Sequence, residues 1–351
     1  MNPRSRSLAC FHGCLLLAGL SGSAVAADAE AEGKYSVTAH WKIGGTGGWD
    51  LLAVDEGSRR LFLSRSDRVV VLDADNGKVV GEVAHTDGVH GIAVAPDLGR
   101  GYTSNGRADS VTVFDLKTFK PIGEIKIDGQ NPDVIVYDRN RHRLYTFNGR
   151  SANASVIDAR TLAQVGTIAL GGKPEFAVSD GRGRMYVNIE DKAELSVIDE
   201  KALKVVATWR LESCEEPTGL ALDAEHHRLF SVCQNGQMIV TDSSDGHRVA
   251  SVPIGHGPDG AAFDASRGLV FSSNGADGTL TIVHEDDPQH FRVVDNLVTQ
   301  KSARTLALDA KTHRLFLPAA EFGATPPPTP ERPHPRPAML PDTFTVLVVG
   351  S

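Results

Sequence analysis

Cysteine is scarce in this 351-residue sequence: there are four, Cys10, Cys14, Cys214 and Cys233. No paired-cysteine zinc motif and no C-x-x-C-H haem attachment site can be built from them. The sequence also has no glycine-rich phosphate loop ahead of a helix and no G-x-S-x-G nucleophile elbow. Those gaps disfavour c-type cytochromes, nucleotide-binding domains and α/β-hydrolases. Past residue 20 there is no apolar run long enough to cross a bilayer, so no membrane anchor is expected. Positive charge is also in deficit, with 36 Lys and Arg against 44 Asp and Glu and a net charge of −8. That balance argues against a nucleic-acid-binding surface.

The first residues read as an export signal. Arg4 and Arg6 form a positive n-region, residues 15–20 a short apolar run, and Ala24-Val25-Ala26 the small-x-small pattern read by signal peptidase. Cleavage is expected after Ala26, with Ala27 as the neighbouring alternative. Cys10 and Cys14 leave with this segment, and neither follows a lipobox. Residues 1–26 are thus expected to be a signal peptide and residues 27–351 a single domain, periplasmic or secreted and monomeric. Only Cys214 and Cys233 remain to pair, and an oxidising compartment permits their disulfide.

Glycine (35) and proline (18) suit many short strands and tight turns. An apolar phrase recurs about every 42 residues, a spacing typical of propeller blades. Its first copy runs Leu51-Leu52-Ala53-Val54-Asp55, Arg60-Leu61-Phe62-Leu63-Ser64, Val69-Val70-Val71-Leu72-Asp73 and Lys78-Val79-Val80-Gly81-Glu82-Val83. Further copies begin near Gly91, Val134, Phe176, Gly219, Gly260 and Thr305, making seven. Each copy reads as four strands, a to d. Asp115, Asp158 and Asp199 open c–d turns, where a carboxylate accepting backbone N–H bonds is structural. The fold class is therefore all-β, a seven-bladed β-propeller. The seventh copy lacks a d strand, whereas residues 35–43 carry that pattern. The N-terminal strand is thus expected to complete blade seven and remove an open edge. Residues 324–341 hold eight prolines and read as a polyproline-like insertion between strands b and c of that blade, either a stiff surface loop or a lid or partner-docking arm.

The b strands end in Tyr102-Thr103-Ser104-Asn105, Tyr145-Thr146-Phe147-Asn148 and Phe271-Ser272-Ser273-Asn274, followed by c strands such as Val111-Thr112-Val113-Phe114-Asp115. Over the whole mature chain this resembles the YVTN-repeat, YncE-like family of exported bacterial propellers. The resemblance implies a scaffold or binding role without established chemistry. Blades one, four and seven depart from the phrase, with Phe62-Leu63-Ser64-Arg65, Tyr186-Val187-Asn188-Ile189 and Phe316-Leu317-Pro318-Ala319.

Aligning the copies on strand a places one residue per blade at the channel mouth: Asp50, His90, Asp133, Glu175, Thr218, Asp259 and Arg304. Four carboxylates around one axis need compensation. The ring suits a divalent cation held by Asp50, Glu175 and Asp259, or a cationic or sugar-like ligand; alternatively it lines a wet channel. Trp49, which stands where four blades have proline, could stack on a ligand or pack on a loop. His85 and His256 lie in d–a loops, and Arg65, Asn105, Asn148, Glu190, Gln234 and Asn274 end b strands on the same face. His142, His227 and His313 read as solvated turn residues on the opposite face, and His226 and His227 lack metal-site spacing. The leading functional reading is a binding protein or scaffold for a small molecule or an exported protein. The alternative is a metal-dependent hydrolase or lyase, similar to propeller lactonases and streptogramin lyases, with His90 or His256 as general base. A third, an electron-transfer or quinone-dependent subunit, rests only on the existence of similar propellers.

Overall fold

The computed structural model describes residues 34–351 apart from 330, 331 and 334, so the expected signal peptide lies outside the described residues. The repeat resolves into seven four-stranded antiparallel sheets, and the protein is a seven-bladed β-propeller. Blade three shows the pattern, with strand a at Pro132–Asp138, b at Arg143–Asn148, c at Asn153–Asp158 and d at Gln164–Ala169. In blade seven the outermost strand is Ser36–Lys42, from the other end of the chain. It pairs antiparallel with Thr345–Gly350, Ser36 opposite Gly350 and Lys42 opposite Thr345. The expected closure is therefore present, and it satisfies the backbone edge that a broken ring would expose.

Burial explains the composition of the strands. Strands b and c lie between two neighbouring blades and are buried along nearly their whole length, while the d strands of blades four and seven alternate exposed and half-buried. One aromatic residue per blade occupies the same place in strand b: Phe62, Tyr102, Tyr145, Tyr186, Phe230, Phe271 and Phe316, all buried. Tyr102 and Tyr186 also donate their hydroxyls to Ala159 O and Ser243 O of the next blade, at 2.9 and 3.1 Å. Truncating such a ring to alanine costs about 3–5 kcal/mol. The expected c–d turns form as well, with Asp158 Oδ1 accepting from the amides of Arg160 and Thr161 at 2.9 and 2.8 Å.

Two features bear on the site. Cys214 and Cys233 are joined in a disulfide, their Cα atoms 5.4 Å apart, tying the loop before strand a of blade five to the end of its strand b. Closing this loop of about 20 residues is worth about 3 kcal/mol in the chain-entropy view. The proline-rich insertion is anchored at its stem, where Phe322 faces Met339 and Leu340 N–H donates to Glu321 O at 2.8 Å. Phe322 packs on Trp49 with ring centroids 5.9 Å apart, so the stem lies against the channel mouth. Among the described residues, no helix is long and apolar enough to cross a membrane.

Candidate functional site

Strand a begins with a break in register in five blades, after Val89, Pro132, Pro174, Pro217 and Pro258. The next residues are His90, Asp133, Glu175, Thr218 and Asp259. A bulge removes a residue from the ladder and re-aims its side chain, which is how a short strand can turn a polar group towards the axis. Proline at the first strand position is tolerated because no ladder donor is needed there. Neighbouring blades then fix these backbones: Thr218 Oγ1 donates to Pro258 O and Thr305 Oγ1 to Asp50 O, each at 2.8 Å. Ser104 and Ser273 do the same to Asp133 O and Arg304 O.

The result is a cavity of about 540 Å³ whose lining includes Asp50, Asp133, Glu175, Thr218, Asp259 and Arg304. His90 lies beside Asp50, with Nδ1 2.5 Å from Asp50 Oδ2 and 3.9 Å from Asp133 Oδ1. Arg304 spans two acids, donating from Nη2 to Asp50 Oδ1 at 3.0 Å and from Nε to Asp259 Oδ2 at 2.6 Å. Lys173 does the same between Glu175, at 2.8 Å, and Glu190. Asp133 is left over. Among the described residues no donor hydrogen-bonds its carboxylate, and its nearest cation is the His90 ring.

Protonation follows from this uneven pairing. Burial pushes Asp133 up to about 7, with the nearby Asp50 charge adding to the effect. Glu175 rises to about 8, chiefly through burial and then through Asp133, despite Lys173. Burial opposes a charged His90, but Asp50 and Asp133 outweigh it and hold the imidazolium to about 9. Asp50 is likewise penalised by burial, yet His90 and Arg304 keep it below the ordinary carboxylate value. The mouth therefore has a deficit of positive charge centred on Asp133 and Glu175.

The three side chains drawn closest together are not the expected Asp50, Glu175 and Asp259. The atoms that converge within 4.8 Å of one another come from Asp50, His90 and Asp133. Glu175 and Asp259 are turned instead to Lys173 and Arg304. The amides Asn105, Asn148 and Asn274 also have another task. Each is buried within its own blade; Asn148 accepts from Thr146 Oγ1 at 3.0 Å and donates to Asn153 Oδ1 and Ser155 Oγ at 2.8 and 3.0 Å. Asn105 and Asn274 repeat this clasp, so the recurring Thr/Ser-x-Asn phrase is a packing device that leaves no amide group free for a ligand. Arg65 is buried over the Phe344 ring and donates to Gly44 O, Thr46 O and Gly47 O.

His256 is exposed and pairs with Asp277 at 3.1 Å, and His85 lines a separate groove. Neither joins the ring. His142 and His313 are not simply solvated, because they bond Tyr137 and the buried Asp264 respectively. Trp49 packs on Phe344 with centroids 5.1 Å apart and also lines the cavity. Lys173, Phe176, Phe322 and Arg336 also line it and were not anticipated. The one sequence cue for Lys173 is its place immediately before Pro174.

No family model matches the chain, and no curated protein matches it. Solved propellers do. The hydrazine synthase structure from Kuenenia stuttgartiensis is 19% identical, with a TM-score of 0.67 over 77% of this chain and 92% of that one. The structure of U3-55K is 10% identical, with a TM-score of 0.73 over 87% and 97%. At these identities the likeness is one of fold alone.

Proposed function

We propose that the channel mouth is a divalent-cation site and that the chain acts there as a metal-dependent hydrolase or lyase on a small ester- or lactone-like molecule. The observation that carries this reading is that ligand atoms of Asp50, His90 and Asp133 lie within 4.8 Å of one another, beside the cavity that Asp50 and Asp133 line, with Asp133 lacking a donor. A bound cation would supply Lewis-acid polarisation of a carbonyl oxygen or a more acidic water. Arg304 keeps Asp50 ionised and oriented. For a cation to bind, the proton between His90 Nδ1 and Asp50 Oδ2 would leave, freeing Nδ1 as a ligand, and His90 is not placed as the general base because its Nε2 edge lies against Gly106. His256 is outside the cavity. The proton-carrying role passes to Glu175, whose raised pKa, about 8, suits a group that takes and returns a proton near neutrality. Trp49, Phe176 and Phe322 give the cavity an apolar wall against which a substrate can shed water.

In the same reading the chain is a YVTN-repeat propeller, cleaved after Ala26 and delivered to the periplasm or the cell exterior. The repeated phrase and the Cys214–Cys233 bond, which suits an oxidising compartment, support this. A binding or scaffold role competes with catalysis, and the proline-rich insertion favours it by bringing Phe322 and Arg336 to the rim, where a partner could touch them. The test is turnover of an ester and lactone panel by EDTA-stripped protein, followed by proton release on adding Mn²⁺, Zn²⁺, Mg²⁺ or Ca²⁺. Ion-restored turnover that Asp133→Asn abolishes in a folded protein is expected. Ion binding with no turnover across the panel would favour the binding role.

A further inference from the structure

A second constellation lies at the opposite end of strand a from the mouth residues; in blade five, Thr218 stands near the start of the strand whose last residue is Asp223. Asp223 closes strand a of blade five, His226 follows three residues later in the a–b turn, and Glu285 lies near the end of strand c of blade six. Asp223 Oδ1 accepts the amides of Glu225 and His226 at 2.9 and 3.3 Å, which fixes the carboxylate and leaves Oδ2 facing blade six. His226 Nδ1 is 2.7 Å from Asp223 Oδ2 and 3.4 Å from Glu285 Oε1. Yet Asp223 Oδ2 and both oxygens of Glu285 are buried without a hydrogen-bond donor among the described residues. Glu285 is only 6% exposed. The nearby Arg228 does not relieve them, since it is committed to Asp242 at 2.6 Å and to Pro288 O at 2.7 Å.

The fold supplies its own control. Blades three and four hold the same arrangement with Asp138, Arg141 and Glu200. Glu200 and Glu285 occupy one structural position, each donating its amide to a glycine at the a–b turn, Gly183 or Gly268. In blades one, two, three and five that position is Ala74, Leu116, Ala159 and Ser243, so an acid there is the exception. In the blade three–four pair the Arg141 guanidinium lies between the acids, 3.2 Å from Asp138 Oδ2 and 3.0 Å from Glu200 Oε2, and Ser179 Oγ donates to Glu200 Oε1 at 3.0 Å. Blades five and six keep both acids and replace the arginine with His226. A buried pair of carboxylates is costly when its one close cation is a half-exposed imidazole, which is shorter and more readily neutralised than arginine.

We propose that Asp223, His226 and Glu285 bind a divalent cation that clasps blade five to blade six, doing there what Arg141 does between blades three and four. One imidazole and two carboxylates suit a first-row ion of the Zn²⁺ or Mn²⁺ class better than Mg²⁺ or Ca²⁺, which prefer all-oxygen sets. The half-exposed His226 leaves the outer side open for water to complete the coordination.

The experiment uses the mature chain carrying Asp133→Asn, which removes the mouth site, and measures Zn²⁺ and Mn²⁺ by calorimetry and metal analysis at pH 7.5. One ion per chain is expected, with a melting temperature that rises on Zn²⁺ addition. Adding His226→Arg should abolish both the ion and the shift while keeping a cooperative melt, because the arginine copies Arg141. Glu285→Gln, as a second route, should weaken affinity about tenfold or more. Absence of an ion in the Asp133→Asn chain, or an unchanged ion in both double variants, would overturn the proposal. A failure at the mouth alone would appear separately, as equal stoichiometry in the wild type and Asp133→Asn.

Discussion

Replacing Asp133 with asparagine should stabilise the metal-free protein at alkaline pH, although it removes a charged group from a ring of ions. An aspartate ordinarily titrates near 3.8, and burial raises this one to about 7. Below pH 3.8 the group is protonated in both folded and unfolded chains and contributes nothing. Between about 4 and 7 the unfolded chain ionises it while the folded chain does not, so stability falls; above 7 the full penalty is present. Three pK units correspond to about 4 kcal/mol as an upper figure. That figure already includes the attraction to the His90 ring, 3.9 Å away. The variant should thus gain at most about 4 kcal/mol at pH 8 in EDTA, or roughly 6 °C in melting temperature. At pH 4 the two proteins should match. His90 steepens the wild-type slope: its stabilisation is complete below pH 6.5 and lost as pH rises through about 9. Urea titrations at pH 4, 6 and 8 in EDTA measure all of this. A variant no more stable than wild type at pH 8, or a difference independent of pH, would refute the assignment of Asp133 as an uncompensated carboxyl. With saturating Mn²⁺ the order should reverse, since only the wild type can be stabilised by the ion.

Reducing the disulfide, or replacing both Cys214 and Cys233 with serine, should lower unfolding free energy by about 2–4 kcal/mol in urea, and an unchanged midpoint would contradict its structural role. Gly106→Ala would place a methyl carbon 2.7 Å from His90 Nε2 and Cδ2, so Mn²⁺ affinity at the mouth should fall about tenfold with circular dichroism unchanged; unaltered affinity would show that the His90 ring is not a ligand. Asn148→Ala leaves Thr146, Asn153 and Ser155 without their shared partner and should cost about 2–3 kcal/mol with no change in ion affinity. Loss of ion affinity without loss of stability would return that amide to the site.

The architecture was legible because the same phrase is written seven times and because the missing d strand had one candidate at the other end of the chain. The disulfide was legible by elimination. The ring positions could be aligned from strand a, but their pairing could not. Whether Glu175 faces an ion or Lys173 depends on a bulge and a d–a loop, and neither leaves a periodic mark. The bonding of the asparagines was not legible because a residue ending a strand on the mouth face can still fold its amide back into the blade. The Asp223, His226 and Glu285 group escaped because two of its members lie 59–62 residues from the third, on different blades. One cue was present: Asp-x-x-Arg at Asp138 becomes Asp-x-x-His at Asp223, a change of cation beside a kept acid.

The decisive measurement is anomalous diffraction from crystals of the mature protein grown with Mn²⁺. A peak about 2.0–2.3 Å from Asp50 Oδ2, His90 Nδ1 and Asp133 Oδ1 is expected at the channel mouth. Density without a peak there at saturating Mn²⁺, with Asp133 instead bonded to water or to a neighbouring side chain, would contradict the metal site on which the proposed activity rests.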